Sequence, residues 1–330
     1  MYDYETFKEI VKKELPSYFP EVKDLKIEEN AVYKVNEKKD SLTISGTGIS
    51  KAGENNSYLA PTVYFDDMYE NYKSCDSIEV VLEDLAERLT RVKENHPDFN
   101  AAESIMNKGN VYFQLINTEA NKEMLADMPH REYLDMSIIY RSLMYRTEDG
   151  ISSVRIDNDV MKRMDLTEEE LYDLAYKNTE TLFPVEVNSM FEMMASKMPP
   201  EIAEIIFPEP DNIDEAMYVI TNNNGINGAA AMLYTEPLDI LSERFGADLY
   251  ILPSSVHEVI AVSAEVSDLE YLSETVRYAN TNEVKAADYL SDNVYRYNRQ
   301  EKKLTQETDV QKKKEPEQQL NKEIKRNRTM

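Results

Sequence analysis

Tryptophan is absent from these 330 residues, cysteine occurs once, histidine three times and glycine only eight times. Each shortage excludes something. The lone Cys75 rules out an intrachain disulfide, and no set of Cys and His has the spacing of a zinc site. Without a glycine-rich strand-to-helix loop there is neither a dinucleotide fingerprint nor a phosphate loop. An Asp-x-Asp-x-Asp-Gly calcium loop is missing as well. No metal and no cofactor is expected. No apolar run approaches the roughly 18 residues of a membrane span. The opening Met1-Tyr2-Asp3-Tyr4-Glu5-Thr6 lacks the basic and apolar regions of a signal peptide. The expectation is a protein of the reducing cytoplasm, without membrane contact.

Basic residues are scarce: 37 Lys and Arg stand against 63 Asp and Glu, a formal net charge of −26. The deficit is uneven, because Arg296 to Met330 holds 11 Lys and Arg against 6 Asp and Glu, so this stretch is +5 and the preceding 295 residues are −31. An acidic body repels phosphate backbones, so no nucleic acid is expected to bind outside the tail. It also keeps the protein soluble, and it leaves open mimicry of nucleic acid. What is plentiful is core material, with 42% hydrophobic residues including 22 Tyr, 16 Met and 9 Phe.

Periodicity divides the chain. An amphipathic helix is predicted near Tyr4–Glu14, then a hairpin of Ala31–Val35 and Leu42–Ser45 around a polar loop, and a helix opening at Ala60-Pro61 that carries Val63, Tyr64, Met68 and Tyr72. The clearest helix runs from about Ser77 to Lys93, with Asp76 and Glu79 at capping-box spacing and Pro97 barring its continuation past His96. A short helix over Ala101–Met106 closes an N-terminal α+β region of residues 1–108. From Asn110 a second region begins with a strand to Ile116. Strands are predicted across Tyr133–Tyr145 and Ser152–Ile156, joined at Asp149-Gly150, then helices over Asp159–Met164 and Thr167–Tyr176, the latter capped by Thr167 and Glu170.

A ββαββα section follows in the sequence. Its strands are Ala216–Thr221, Ala229–Tyr234, Asp248–Leu252 and Val256–Val262, and its helices end at Gly246 and start at Ser267 with Glu270. The Met-rich stretch Val185–Pro208 reads as adaptable core filler. The fold class is therefore α+β: N-terminal helices with a β-hairpin, then a mixed or antiparallel sheet over residues 109–297. Residues 298–330 have too few apolar side chains to offset the entropy of folding, and are expected to form a disordered basic tail.

Several stretches resemble a bacterial family of unknown function, number 5688. They are Asn56-Ser57-Tyr58-Leu59-Ala60-Pro61-Thr62-Val63-Tyr64 followed by Tyr69-Glu70-Asn71-Tyr72, then Met128-Pro129-His130-Arg131-Glu132-Tyr133-Leu134-Asp135, Ala175-Tyr176-Lys177-Asn178-Thr179, and the opening decapeptide. The likeness spans about residues 1–297 in order and stops before the tail. The half from Asn110 onward also resembles a second uncharacterised bacterial family, in which a polar turn lies between two strands near the end. The first resemblance implies a bacterial intracellular protein, both point to fold, and neither implies an activity, a ligand or a partner.

Two polar clusters are candidate functional sites. Ser254, Ser255, His257 and Glu258 stand between apolar strands. A Ser255 and His257 pair could serve a hydrolase, but in an extended strand Glu258 points away from His257, so the orienting carboxylate must come from elsewhere. The competing reading is a turn in which the serine hydroxyls satisfy loose N–H groups. His130 and Arg131, with Asp135, precede a predicted buried strand and could bind an anion or form a local ion-pair network, with Asp135 accepting from Tyr133, Ser137 or Arg131. Asn222-Asn223-Asn224 reads as a hairpin turn. The function expected is binding or interaction with a protein partner, through the acidic body or the 254–258 turn.

Overall fold

The computed structural model describes residues 1–20, 22, 24–46, 51–52, 58–59, 62–95, 101–147, 150–196, 199, 202 and 216–307. The chain forms two compact units, Met1–Asn107 and the residues from Lys108 onward. Strands in the described residues are β1 (Lys26–Lys34), β2 (Glu37–Ser45), β3 (Lys51–Ala52), β4 (Tyr58–Leu59), β5 (Thr62–Tyr64), β6 (Val111–Asn117), β7 (His130–Tyr133), β8 (Met136–Thr147), β9 (Gly150–Arg155), β10 (Val185–Ser189), β11 (Tyr218–Asn222), β12 (Leu249–Pro253), β13 (Val259–Ser263), β14 (Tyr295–Asn298) and β15 (Lys303–Gln306). All their pairings are antiparallel, and with the helices they make an α+β fold.

In the first unit the helix Tyr4–Glu14 starts where Asp3 accepts the Thr6 N–H. Its Phe7 and Val11 meet Leu42 and Ile44 of β2 together with Phe65, Met68 and Tyr72 of the helix Phe65–Cys75. Lys8 is buried beside them and neutralised by Asp40 at 2.9 Å, Glu5 at 3.1 Å and Glu29 at 3.4 Å. Three expectations change here. The β1–β2 turn is tight, with Asn36 left-handed at φ +62°, so most of the polar segment expected as loop is strand. Val63 and Tyr64 pair with β2 rather than opening a helix. Asp76 does not cap the helix Ile78–Asn95: it ends the previous helix in the left-handed conformation, and the Ser77 hydroxyl accepts the Val80 N–H instead. Pro97 and His96 lie outside the described residues.

The second unit holds two larger sheets. One is ordered β6-β8-β7, with β9 pairing the distal half of β8. The helix Glu168–Leu182, capped reciprocally by Thr167 and Glu170, lies against β6, and Thr179 accepts the Phe113 N–H at 3.1 Å. The other sheet is ordered β10-β11-β13-β12-β14-β15. On one of its faces Tyr250, Leu252 and Val262 pack against Leu269, Leu272 and Val276 of the helix Leu269–Asn282. On the other, the helix Thr235–Phe245 sets Phe245 edge-on to Tyr218 and accepts the Tyr297 hydroxyl on Asp239 at 2.5 Å.

The ββαββα expectation fails at its second strand. Ala229–Tyr234 is not a strand: Gly228–Leu233 is a 3-10 helix, and β11 pairs with β10 and β13. The reason is close approach. A Cβ on Gly228 would sit 2.5 Å from the His257 carbonyl and 2.8 Å from the Asn222 nitrogen, so only glycine lets this segment lie against the end of β11. Asp268, not Ser267, caps the following helix. Folding also continues past residue 297. A turn fastened by Asn298, whose side chain accepts the Gln300 and Glu301 N–H groups, and by a Lys302–Asp239 ion pair of 2.6 Å returns the chain as β15 with Leu304 buried. The remaining tail, from residue 308, lies outside the described residues.

Candidate functional site

The segment Ser254–Glu258 is a turn, and β13 begins only at Val259. The Glu258 carbonyl accepts both the Ser254 and the Ser255 N–H at 3.2 Å, which closes the turn. Val256 within the turn is tied elsewhere, donating its N–H to the Asp288 carbonyl at 2.8 Å and accepting from Ala229 at 3.2 Å. With its backbone used in this way the segment cannot extend the ladder. The expected strand from Val256 therefore starts three residues late.

The side chains follow from that turn. Ser254 reaches Glu258 at 3.3 Å, and the Ser255 hydroxyl accepts the His257 N–H at 3.0 Å. His257 Nδ1 accepts the Asn227 backbone N–H at 3.1 Å, so the ring proton resides on Nε2, which donates to Asp288 at 3.2 Å. Its carbonyl accepts the Thr221 hydroxyl at 2.8 Å. His257 thus fastens the turn to β11, to the 3-10 helix Gly228–Leu233 and to the Ala286–Asp288 turn. Asp288 is the orienting carboxylate that a catalytic histidine would need, but both imidazole nitrogens are occupied and the Ser255 hydroxyl is directed at the backbone.

The second cluster divides in two. Leu134 and Asp135 are the two-residue turn between β7 and β8, with Leu134 exposed and left-handed at φ +59°. A leucine there carries no turn signal, which is why a single strand was expected from Tyr133. The turn swings Asp135 away from Tyr133, Ser137 and Arg131. Its carboxylate instead accepts from Ser291 Oγ at 2.7 Å, Asn293 Nδ2 at 2.9 Å and the Tyr295 hydroxyl at 2.5 Å, while Ser137 meets Thr118 at 2.9 Å. Burial and then the Asp135 charge push the Tyr295 hydroxyl pKa far above its ordinary value. This bond set joins the two sheets of the second unit.

Arg131 pairs with Glu168 at 3.0 Å and stacks over the Tyr172 ring at 3.8 Å from its centroid, and the Tyr140 hydroxyl donates to the same carboxylate at 2.5 Å. The Glu168 bond raises the Arg131 pKa, and burial followed by that bond raises Tyr140. His130 Nδ1 approaches the Met128 carbonyl at 3.0 Å. Asn222, Asn223 and Asn224 form a loop closed on itself: Asn222 Nδ2 donates to the Ile226 carbonyl, its oxygen accepts the Asn224 N–H, and Asn224 accepts from Arg146. The partners Asn227, Asp288, Glu168 and Ser291 were out of reach of the sequence reading, since each is about thirty or more residues away along the chain from the group it binds.

Asn222 and Asn227 also line an aromatic cleft with Tyr112, Phe113, Phe183 and Tyr234, of about 270 Å³ including the part open to solvent. Its enclosed part holds about one water molecule, so it is a packing gap rather than a ligand chamber. Among the described residues no three His, Cys, Asp or Glu side chains are placed to hold a metal ion, and no helix is long and apolar enough to cross a membrane.

The model of a family of unknown function, DUF5688, matches residues 4–299. The chain belongs to that family. No curated protein and no solved structure matches it. The matched span in DUF5688 includes the 254–258 turn, Asp135 and Arg131, and it ends between β14 and β15.

Proposed function

We propose that this DUF5688 member is a bacterial cytoplasmic interaction protein that recruits a basic protein partner through the outer face of the helix Leu269–Asn282. The observation that carries this reading is an aromatic stripe in acidic surroundings. Tyr271 and Tyr278 are 67% and 66% exposed and lie two helical turns apart on one face, and Val266 just before the helix is 52% exposed. Glu265, Asp268, Glu270 and Glu274 are exposed around them. Tyrosine gives a large, stiff contact surface at small entropic cost, and such residues are enriched where proteins meet. The carboxylate rim selects a basic partner and steers its approach.

The polar clusters support binding over chemistry, because His257, Asp135, Arg131 and Ser255 all spend their polar atoms on holding the fold. The test is a pull-down of full-length protein from native lysate beside a Tyr271→Ser/Tyr278→Ser double variant. A partner retained at low salt, released at high salt and lost from the double variant is expected. Identical captures for both proteins would overturn the reading.

A further inference from the structure

The helix Leu269–Asn282 stands beside the point where the chain leaves the described fold. After β15 the Glu307 N–H donates to the Val294 carbonyl at 2.9 Å. Val294 belongs to the apolar cluster in which Tyr250, Leu252 and Val262 meet Leu269, Leu272 and Val276 of that helix. Electrostatics gives the same placement. Burial raises the Tyr250 pKa, Arg296 opposes the rise, and the carboxylates of Glu307, Asp248 and Asp268 add to it. Asp268 caps the helix, so Glu307 and the helix start act on one ring.

The two segments brought together in this way are opposite in charge. From Glu265 to Val276 the chain carries the carboxylates of Glu265, Asp268, Glu270 and Glu274 and no Lys or Arg. None of those carboxylates is in an ion pair among the described residues. Thr308–Met330, by contrast, holds 7 Lys and Arg against 4 Asp and Glu, gathered in Lys312-Lys313-Lys314 and in Lys322 to Arg328. Reach is sufficient. Lys312 and Lys314 follow Glu307 by five and seven residues, an extended span of up to about 17–24 Å, and a helix of this length measures about 21 Å.

We propose that the basic segment Lys312–Arg328 of this chain docks on the carboxylate and tyrosine face of the helix Leu269–Asn282 and masks it. Its Lys and Arg side chains meet the carboxylates and lie on the exposed Tyr271 and Tyr278 rings, as Arg244 lies over Tyr218 at 5.0 Å in the same unit. Tethering favours this occupant over a free one. A short linker holds the segment at an effective concentration of about millimolar, so contacts too weak to retain a separate peptide suffice. The docked segment is then an internal competitor of the basic partner, a consequence that rests on the reading of this face given above.

Zero-length carbodiimide coupling of the full chain, mapped by mass spectrometry, tests the docking without any partner, because it joins only amines and carboxylates already in contact. Links from Lys312, Lys313 or Lys314 to Glu270 or Glu274 are expected at low salt and should fade at high salt. In a mixture of isotope-labelled and unlabelled chains they should lie within one chain; links between chains would assign the face to a second copy and overturn the proposal. Absence of links to this helix, or links spread over carboxylates of every face, would overturn it whatever the pull-down shows. In the pull-down, the full chain with Lys312→Glu, Lys313→Glu and Lys314→Glu should capture about twofold more partner or better, since a competitor at half occupancy is removed. Unchanged capture would overturn the masking. Links within one chain, together with identical captures by the unaltered protein and the tyrosine double variant, would instead refute the partner reading and leave the docking in place.

Discussion

Removing the Asp135 carboxylate should be among the most damaging single changes in the second unit. Three donors converge on it, and two of them, Ser291 and Tyr295, belong to wholly buried residues. In Asp135→Ala those two hydroxyls lose their acceptor, and each stranded buried donor costs about 1–3 kcal/mol. Asn293 is nearer solvent and can turn to water. The expected loss is about 3–5 kcal/mol, a large part of the roughly 5–15 kcal/mol that stabilises a typical domain. Asp135→Asn keeps one acceptor oxygen and suits the turn, but aims an amide at donors, so about 1–2 kcal/mol is expected. Urea unfolding followed by circular dichroism and by tyrosine fluorescence, which is unmasked because tryptophan is absent, measures both. A double-mutant cycle with Tyr295→Phe isolates the shortest bond and should give a coupling above about 1 kcal/mol. The reasoning is refuted if Asp135→Ala shifts stability by less than about 1 kcal/mol with an unchanged denaturant slope, or if the Asn and Ala variants are equivalent.

Two further outcomes follow from the same unit. Gly228→Ala places a Cβ 2.5 Å from the His257 carbonyl and 2.8 Å from the Asn222 nitrogen, both backbone atoms that cannot swing aside. A loss of about 3 kcal/mol or more is expected, and thermal unfolding at the wild-type midpoint would refute it. Stability should also fall in alkali. Burial raises Tyr133 and Tyr289 from 10.0 to about 12, so their contribution is complete below pH 10 and is lost as pH rises toward 12, where the unfolded chain has released protons that the native state retains. The part of the tyrosinate absorbance that comes from the buried tyrosines should therefore appear late and together with unfolding. Gradual titration of all tyrosines near pH 10 without unfolding would contradict this.

The longer helices and about half of the strands are legible in the sequence because each is written in local periodicity. Phe7 and Val11 fall on one helical face, Thr167 and Glu170 cap reciprocally, and Gly246 ends its helix at φ +70°, as left-handed caps require. The family likeness was legible too, on motifs that, but for the first three residues of the opening decapeptide, lie within the matched span of residues 4–299. Legibility ended where a segment's state depends on something far along the chain. Ala229–Tyr234 has a strand's composition and is a 3-10 helix, because Gly228 must lie on Thr221 and on the His257 carbonyl. Lys303–Gln306 is polar and reads as tail, yet it is a strand, because β14 offers it an edge and Asp239 a counter-ion for Lys302.

The polar clusters show the same division. The sequence alone determined that Ser254, Ser255, His257 and Glu258 form a polar break between two apolar strands, and that Asp135 and Arg131 stand beside a buried one. Only the tertiary structure decided their partners: Asp288 and Asn227 for His257, Glu168 for Arg131, and Ser291 and Tyr295 for Asp135. The physical reason is range. Helix faces, caps and turns are fixed by interactions within a few residues, whereas a hydrogen bond between distant residues exists only once sheet register has placed both ends within about 3 Å.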